Sequence, residues 1–197
     1  MASFKKYNTP HEFENLYKVL SSTRFLNKEG LRGELPFFIH SFPVAKLTEI
    51  ETHIQSLFKR LINEGIEIVD INLYNISLDI LKREQLFEQV LVKEQSLPKQ
   101  RLMRILNGPL NIDNVIIPEI NRLISLYPAK IVFLTGIGNI FPIIRSHTIL
   151  NNVQTLVGDL PLVMFFPGTY NNTTLQLFDT IKDENYYRAH NLNDYSI

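Results

Sequence analysis

From residue 35 onward, short apolar runs rich in β-branched and aromatic residues alternate with stretches whose apolar positions recur at helical spacing. Residues 35–42 (LPFFIHSF), 66–73 (IEIVDINL), 130–135 (KIVFLT) and 160–166 (LPLVMFF) read as strands. Between the first two, Leu47, Ile50, Ile54, Leu57, Phe58, Leu61 and Ile62 make an apolar helical stripe that Gly65 stops. Further helices are expected over 77–95, from Pro98 to the break at Gly108-Pro109, and over 113–127 ahead of Pro128. Strand and helix in alternation specify an α/β layer fold, because parallel strands need crossovers and the crossover helices cover both sheet faces. The expected architecture is a three-layer α/β domain with a mostly parallel sheet.

Local signals refine that expectation. Thr9-Pro10-His11-Glu12 reads as a capping box that starts a helix over about 10–22, packed on the same domain. Thr48-Glu49-Ile50-Glu51 reads as a second one. A polar loop with Gly30 and Gly33 follows the first helix, and Pro36 belongs at the start of a strand or on an edge. Pro142 is expected in the first turn of the helix after 130–135, and Pro167-Gly168 is expected to close the strand before it. Residues 175–178 read as a short helix or strand, and 187–192 as a last edge strand. No internal repeat, low-complexity segment or linker divides the chain, so residues 1–197 are expected to form a single domain.

In a parallel sheet, ligands sit beyond the carboxyl ends of the strands. The stretch after 130–135, FLTGIGNIFPIIRSHTILNNVQ, leaves a strand, passes Gly136 and Gly138 and enters an apparent helix carrying Arg145, Ser146 and His147. A dinucleotide fingerprint needs a third glycine where Phe141 stands, and a P-loop needs Gly-Lys-Ser or Gly-Lys-Thr. The chain contains no Gly-Lys pair, and the turn after the first strand, FPVAKLTE, has no glycine around Lys46. The strand that would carry an acidic magnesium ligand ends in Thr135. Gly136-x-Gly138 therefore reads as a tight turn with close backbone packing. Ser146 and His147 are neighbours on a helix, where side chains point about 100° apart, so they do not form a nucleophile–base pair by themselves.

Composition excludes further classes. The absence of cysteine removes thiolate catalysis, disulfides and Cys-based metal centres. Twenty basic residues balance twenty acidic ones, unlike the basic excess of a DNA-coating protein. The start of the chain, MASFKKYNTPHEF, lacks a signal-peptide pattern. The longest apolar stretch, 131–144, is too short to span a membrane. A cytoplasmic protein without membrane contact is expected. His11, His40, His53, His147 and His190 show no metal-ligand spacing, and Asp179, Asp183 and Glu184 read as a solvated turn before a metal site. Lys93, Lys99, Arg101 and Arg104 give a basic face that is the best DNA-contact candidate in the chain. The aromatic blocks 165–170 and 186–188 read either as rim packing or as interface anchors.

Three segments, RFLNKEGLRGELPFFI, IVFLTGIGNIFPIIRSHTILNNVQ and PLVMFFPGTYNNTTLQLFDTIKDENYYRAHNL, occur in that order over roughly residues 16–193. With their Leu-Thr-Gly, Arg-Ser-His, Phe-Pro-Gly and Asn-Tyr-Tyr-Arg blocks the chain resembles the BrxB family, a small component of bacterial BREX phage-defence systems. Gly136, Gly138, Arg145, Ser146, His147, Asn151, Asn152, Pro167, Gly168, Tyr186, Tyr187 and Arg188 fall in the family's motifs. The resemblance implies no catalytic activity, no cofactor and no metal. It implies an assembly role beside larger BREX components, foremost the phosphatase-like PglZ and also the BREX ATPase. The layout resembles a P-loop ATPase core without its nucleotide-binding motifs, which leaves a degenerate nucleotide-binding protein, or a DNA-contacting module of the same system, as the alternative. Arg145, His147, Asn151, Asn152, Tyr186, Tyr187 and Arg188 are the expected partner-binding residues.

Overall fold

The computed structural model describes residues 7–29, 31, 34–183 and 185–195. Gly30, Gly33 and Glu184 lie outside the described residues. Helix α1 (Thr9–Ser21) is capped one residue earlier than Thr9, by Asn8, whose side chain accepts from the His11 amide at 3.3 Å. Thr9 is fully buried, and its hydroxyl accepts from Lys46 Nζ at 3.1 Å. A short helix α2 (Thr23–Leu26) follows, then β1 (Phe37–Phe42), buried on both faces as its unbroken apolar run requires.

Helix α3 (Leu47–Asn63) does not use the capping box at Thr48. The chain leaves β1 through a 3-10 turn, Val44–Lys46, in which the Lys46 amide bonds Pro43 O and the Leu47 amide bonds Val44 O. The helix therefore begins before Thr48, which lies inside its first turn and not at its cap. Strand β2 (Ile68–Asn72) runs straight into α4 (Leu73–Arg83), capped by the Asn72 side chain. The single helix expected over 77–95 is two, α4 and α5 (Phe87–Ser96). Gln85 turns left-handed at φ 58°, so that the Leu86 amide reaches Leu81 O and ends α4 in a Schellman-type closure.

Helix α6 (Lys99–Leu106) and a π turn (Ile112–Ile116) lead into α7 (Ile117–Ser125) and β3 (Ile131–Thr135). The four-residue helix α8 (Ile137–Ile140) comes next, and α9 (Ser146–Val157) begins only at Ser146. Pro142 therefore lies between two helices and not inside a first turn. Phe141 takes the extended backbone that a following proline favours, which stops α8.

Strand β4 (Leu162–Tyr170) passes through Pro167-Gly168 where the sequence pattern expected it to end. On one side Phe42 pairs with Pro167, and beyond it the strand pairs antiparallel with β5 (Leu175–Leu177), which pairs with β6 (Ile181–Asp183). Gly168 makes the change of partner possible. Its φ is 145°, and a Cβ there would stand 2.1 Å from Gln176 O. The last strand, β7 (His190–Asn191), is two residues long.

The main sheet runs in the order β2-β3-β4-β1-β7, all parallel. Helices α1, α2 and α3 cover one face, around Phe38, Phe133 and Phe165. Helices α4, α6, α7, α8 and α9 cover the other, around Ile39, Ile71, Leu134 and Met164. Alternate side chains of each strand enter opposite cores, each buried aliphatic or aromatic chain contributing roughly 1.5–3 kcal/mol. On the α1 face the Phe133 and Phe165 rings meet edge-on at 5.1 Å. His40 lies among them with Phe13 and Phe165 against its ring, and Nε2 is 2.8 Å from the Tyr7 hydroxyl. At the β1 border, Asn193 Nδ2 donates to Ser41 O at 3.0 Å and its Oδ1 accepts from Ser41 N at 3.1 Å. No helix among the described residues is long and apolar enough to cross a membrane.

Candidate functional site

The carboxyl ends of β1, β2, β3 and β4 surround a cleft of about 320 Å³ at the sheet's rim. Its polar lining includes Glu51 and Gln55 of α3, Asn72, Asn75, Thr135 and Asn139. Beneath it the Thr135 hydroxyl donates to Asp70 Oδ1 at 3.0 Å. Burial raises the Asp70 pKa, and the hydrogen bonds from Thr135 and Gln55 offset part of that. Asn139 Nδ2 donates to Glu51 Oε1 at 3.2 Å. Among the described residues no lysine, arginine or histidine lines the cleft, so a phosphate entering it would meet Glu51 without a counter-charge.

The two glycines at this rim are packing positions. Gly136 is left-handed, φ 72°, and a Cβ there would stand 2.6 Å from Asn72 Oδ1, the atom that caps α4. A Cβ on Gly138 would stand 2.9 Å from Pro167 Cγ and 3.0 Å from the Phe178 ring. Lys46, in the turn after β1, donates to Thr9 Oγ1 and, at 3.0 Å, to Glu49 Oε2. The Thr9 and Lys46 hydrogen bonds lower the Glu49 pKa. Lys46 thus ties α3 to α1 and does not face the cleft.

A second site forms at the start of α9. Arg145 is extended and exposed, and no side chain caps the helix. Ser146 is only 8% exposed. His147 Nδ1 lies 3.5 Å from Asp183 Oδ2, on β6. The Tyr187 hydroxyl donates to the same oxygen at 2.6 Å, while Asn185 donates to Oδ1 from its backbone at 3.1 Å and its side chain at 2.6 Å. Burial opposes ionisation of Asp183, but the donors from Tyr187 and Asn185, with His147 beside them, outweigh it and hold the pKa low. No local pattern ties Asp183 to His147, because the β5–β6 hairpin brings them together across 35 intervening residues. Ser146 makes no hydrogen bond to that ring, so the three do not compose a nucleophile–base–acid relay.

The other expected site residues separate. Tyr187 is 3% exposed; burial first, then the Asp183 charge, raises its pKa. Tyr186, 67% exposed, and Arg188 line a different groove with Glu34, Leu35 and His190. Asn151 is exposed on α9, and Asn152 donates within the helix to Thr148 O at 2.8 Å. Lys93 on α5 and Lys99, Arg101 and Arg104 on α6 are exposed and make no ion pair among the described residues. No three acids or histidines among the described residues stand together as metal ligands.

The family model described as BREX protein BrxB matches residues 69–192. The chain is 36% identical over 185 residues to a BREX protein BrxB of Bacillus cereus (strain H3081.97), covering 92% of this chain and 95% of that protein. It is 32% identical over 182 residues to a BREX protein BrxB of Escherichia coli O9:H4 (strain HS), covering 92% of this chain and 90% of that protein. No solved structure matches the chain.

Proposed function

The chain belongs to the BrxB family of BREX proteins, and from that premise we propose that it is a non-catalytic assembly subunit of a BREX complex acting against phage DNA. The observation that carries the reading is the rim cleft. It occupies the place where an α/β sheet presents its ligand, and among the described residues it offers a phosphate no cation. The partner on this reading is the phosphatase-like PglZ, with the BREX ATPase second.

One observation keeps a second reading in view. The strand order places β1 between β4 and an edge strand, with β3 and β2 beyond β4, as in a P-loop ATPase core. On such a core the phosphate loop follows β1, where this chain has the 3-10 turn and an engaged Lys46. Architecture of that kind supports common geometry and not common activity. The exposed basic residues of α5 and α6 support direct DNA contact less, given a net charge of zero.

Co-expression of the tagged full-length chain with its neighbouring BREX components, followed by mass spectrometry, tests the reading. A stoichiometric component is expected. Absence of every component, together with a thermal shift from ATP and magnesium larger than that from inorganic phosphate, would replace it with nucleotide binding.

A further inference from the structure

The backbone N–H groups of Ser146, His147 and Thr148 open a twelve-residue helix, and none has an acceptor among the described residues. The Ser146 side chain lies in the wall of a cavity of about 290 Å³ at that helix start. The residue is 8% exposed, and its hydroxyl bonds no described residue. Arg145 and Lys182 stand in the same wall, and neither forms an ion pair among the described residues. Among the described residues Asp183 is the one acid in the wall, and its two oxygens are already taken by Tyr187, Asn185 and His147. The cavity is therefore rich in unspent donors and carries unpaired positive charge, which the helix start reinforces.

We infer that this cavity is an oxyanion site, and that it receives a carboxylate side chain presented by a protein partner. The inference rests on the assembly reading for its partner, but not for its chemistry. The remaining walls, Phe141, Phe166, Leu175, Leu177 and Ile181, are apolar. They suit the methylenes of a glutamate or aspartate better than a hydrated phosphodiester. A chain of zero net charge also lacks the long-range attraction by which proteins gather nucleic-acid backbone. Ser146 Oγ, the three amides and Arg145 supply the donors to the oxyanion, while Asp183 fixes His147 through Nδ1.

The test uses the full-length 15N-labelled chain, titrated with glutarate and, separately, with inorganic phosphate, against chloride at the same ionic strength. Saturable movement of the Ser146, His147 and Thr148 amide signals with glutarate is expected. Ser146→Asp places a carboxylate in the cavity in cis, in the first turn of α9 where the helix dipole favours it, so that variant should melt no lower than the parent and lose the response. Arg145→Gln should weaken it by at least about tenfold. Movement with phosphate but not glutarate would overturn the carboxylate and make the site a phosphate site. No saturable movement with either would overturn the site itself. Co-purification separates the two levels of the argument. A parent chain that binds glutarate but captures no BREX component leaves the site standing and removes the assembly reading. A Ser146→Asp chain that still captures its component shows that the partner docks elsewhere, which overturns the inferred occupant.

Discussion

The Tyr187 hydroxyl donates to Asp183 Oδ2 at 2.6 Å, and the ring that delivers it is 3% exposed. Tyr187 sits within an exposed Tyr-Tyr-Arg block yet points inward. It joins the C-terminal segment to β6 and holds the acid that faces His147. Tyr187→Phe leaves the ring packing intact and removes one hydrogen bond to a charged group. A loss of about 1.5–3 kcal/mol in urea unfolding is expected. Tyr186→Ala, on an exposed neighbour, should cost less than about 0.5 kcal/mol.

Glycines with positive φ should separate by what surrounds them. Gly65 has φ 75° and nothing within 4 Å of an added Cβ, so Gly65→Ala is expected to cost about 1 kcal/mol from backbone strain. Gly168 has backbone in the way at 2.1 Å, and relief requires the β4–β5 pairing to move. Gly168→Ala should therefore cost at least about 3 kcal/mol and lower the yield of folded protein, read by thermal melting of both variants side by side.

His40 makes stability depend on pH. Burial lowers its pKa from 6.5 to about 3, while the Asn193 side chain raises it in part, so the folded ring stays neutral. The unfolded chain takes up a proton below about pH 6.5 and the folded chain does not, so stability is complete above that pH and falls toward pH 3. The slope from this group is at most about 1.4 kcal/mol per pH unit. Between pH 6.5 and 5 the depressed carboxylates, Glu14, Glu49, Glu119 and Asp183, contribute little, because their losses begin lower. The denaturation midpoint should fall through that interval, and His40→Phe, whatever its own cost, should flatten the curve there. A curve of unchanged slope would contradict the buried neutral ring.

Lys46→Met tests what a lysine after β1 does in this chain. Its loss removes one of the two hydrogen bonds of the buried Thr9 hydroxyl, leaving the one to Glu49, and removes the Lys46–Glu49 ion pair. A decrease of about 1–2 kcal/mol in stability is expected, with unchanged recovery of any BREX component that the parent chain captures in co-purification.

The strands were legible because burial on both faces forces near-continuous apolar runs, and IVFLT and LVMFF cannot satisfy a one-sided pattern. Boundaries were less so. Thr48 has the right spacing for a cap, but capping depends on how the chain arrives, and here it arrives already coiled in a 3-10 turn. Pro167-Gly168 looks like a stop in sequence, yet one strand can change partners where glycine admits a neighbouring carbonyl. Gly136-x-Gly138 was read from its missing lysine and missing third glycine, and the atoms crowding both positions are what that reading requires. The pairing of His147 with Asp183 had no local signal, since it depends on where a hairpin folds back. Exposure inside the Tyr186-Tyr187-Arg188 block likewise follows from the hairpin and not from composition.

Asn193 presents to Ser41 a donor and an acceptor at the spacing of a peptide group. Beside β1, a side chain thus impersonates the next residue of a strand after β7 has stopped at two. At Ser41 the backbone of β1 is thereby closed to a foreign strand. Whatever joins the protein at Ser41 must read the Asn193 side chain and not the backbone of β1, and a contact of that kind can be gained or lost by a single substitution.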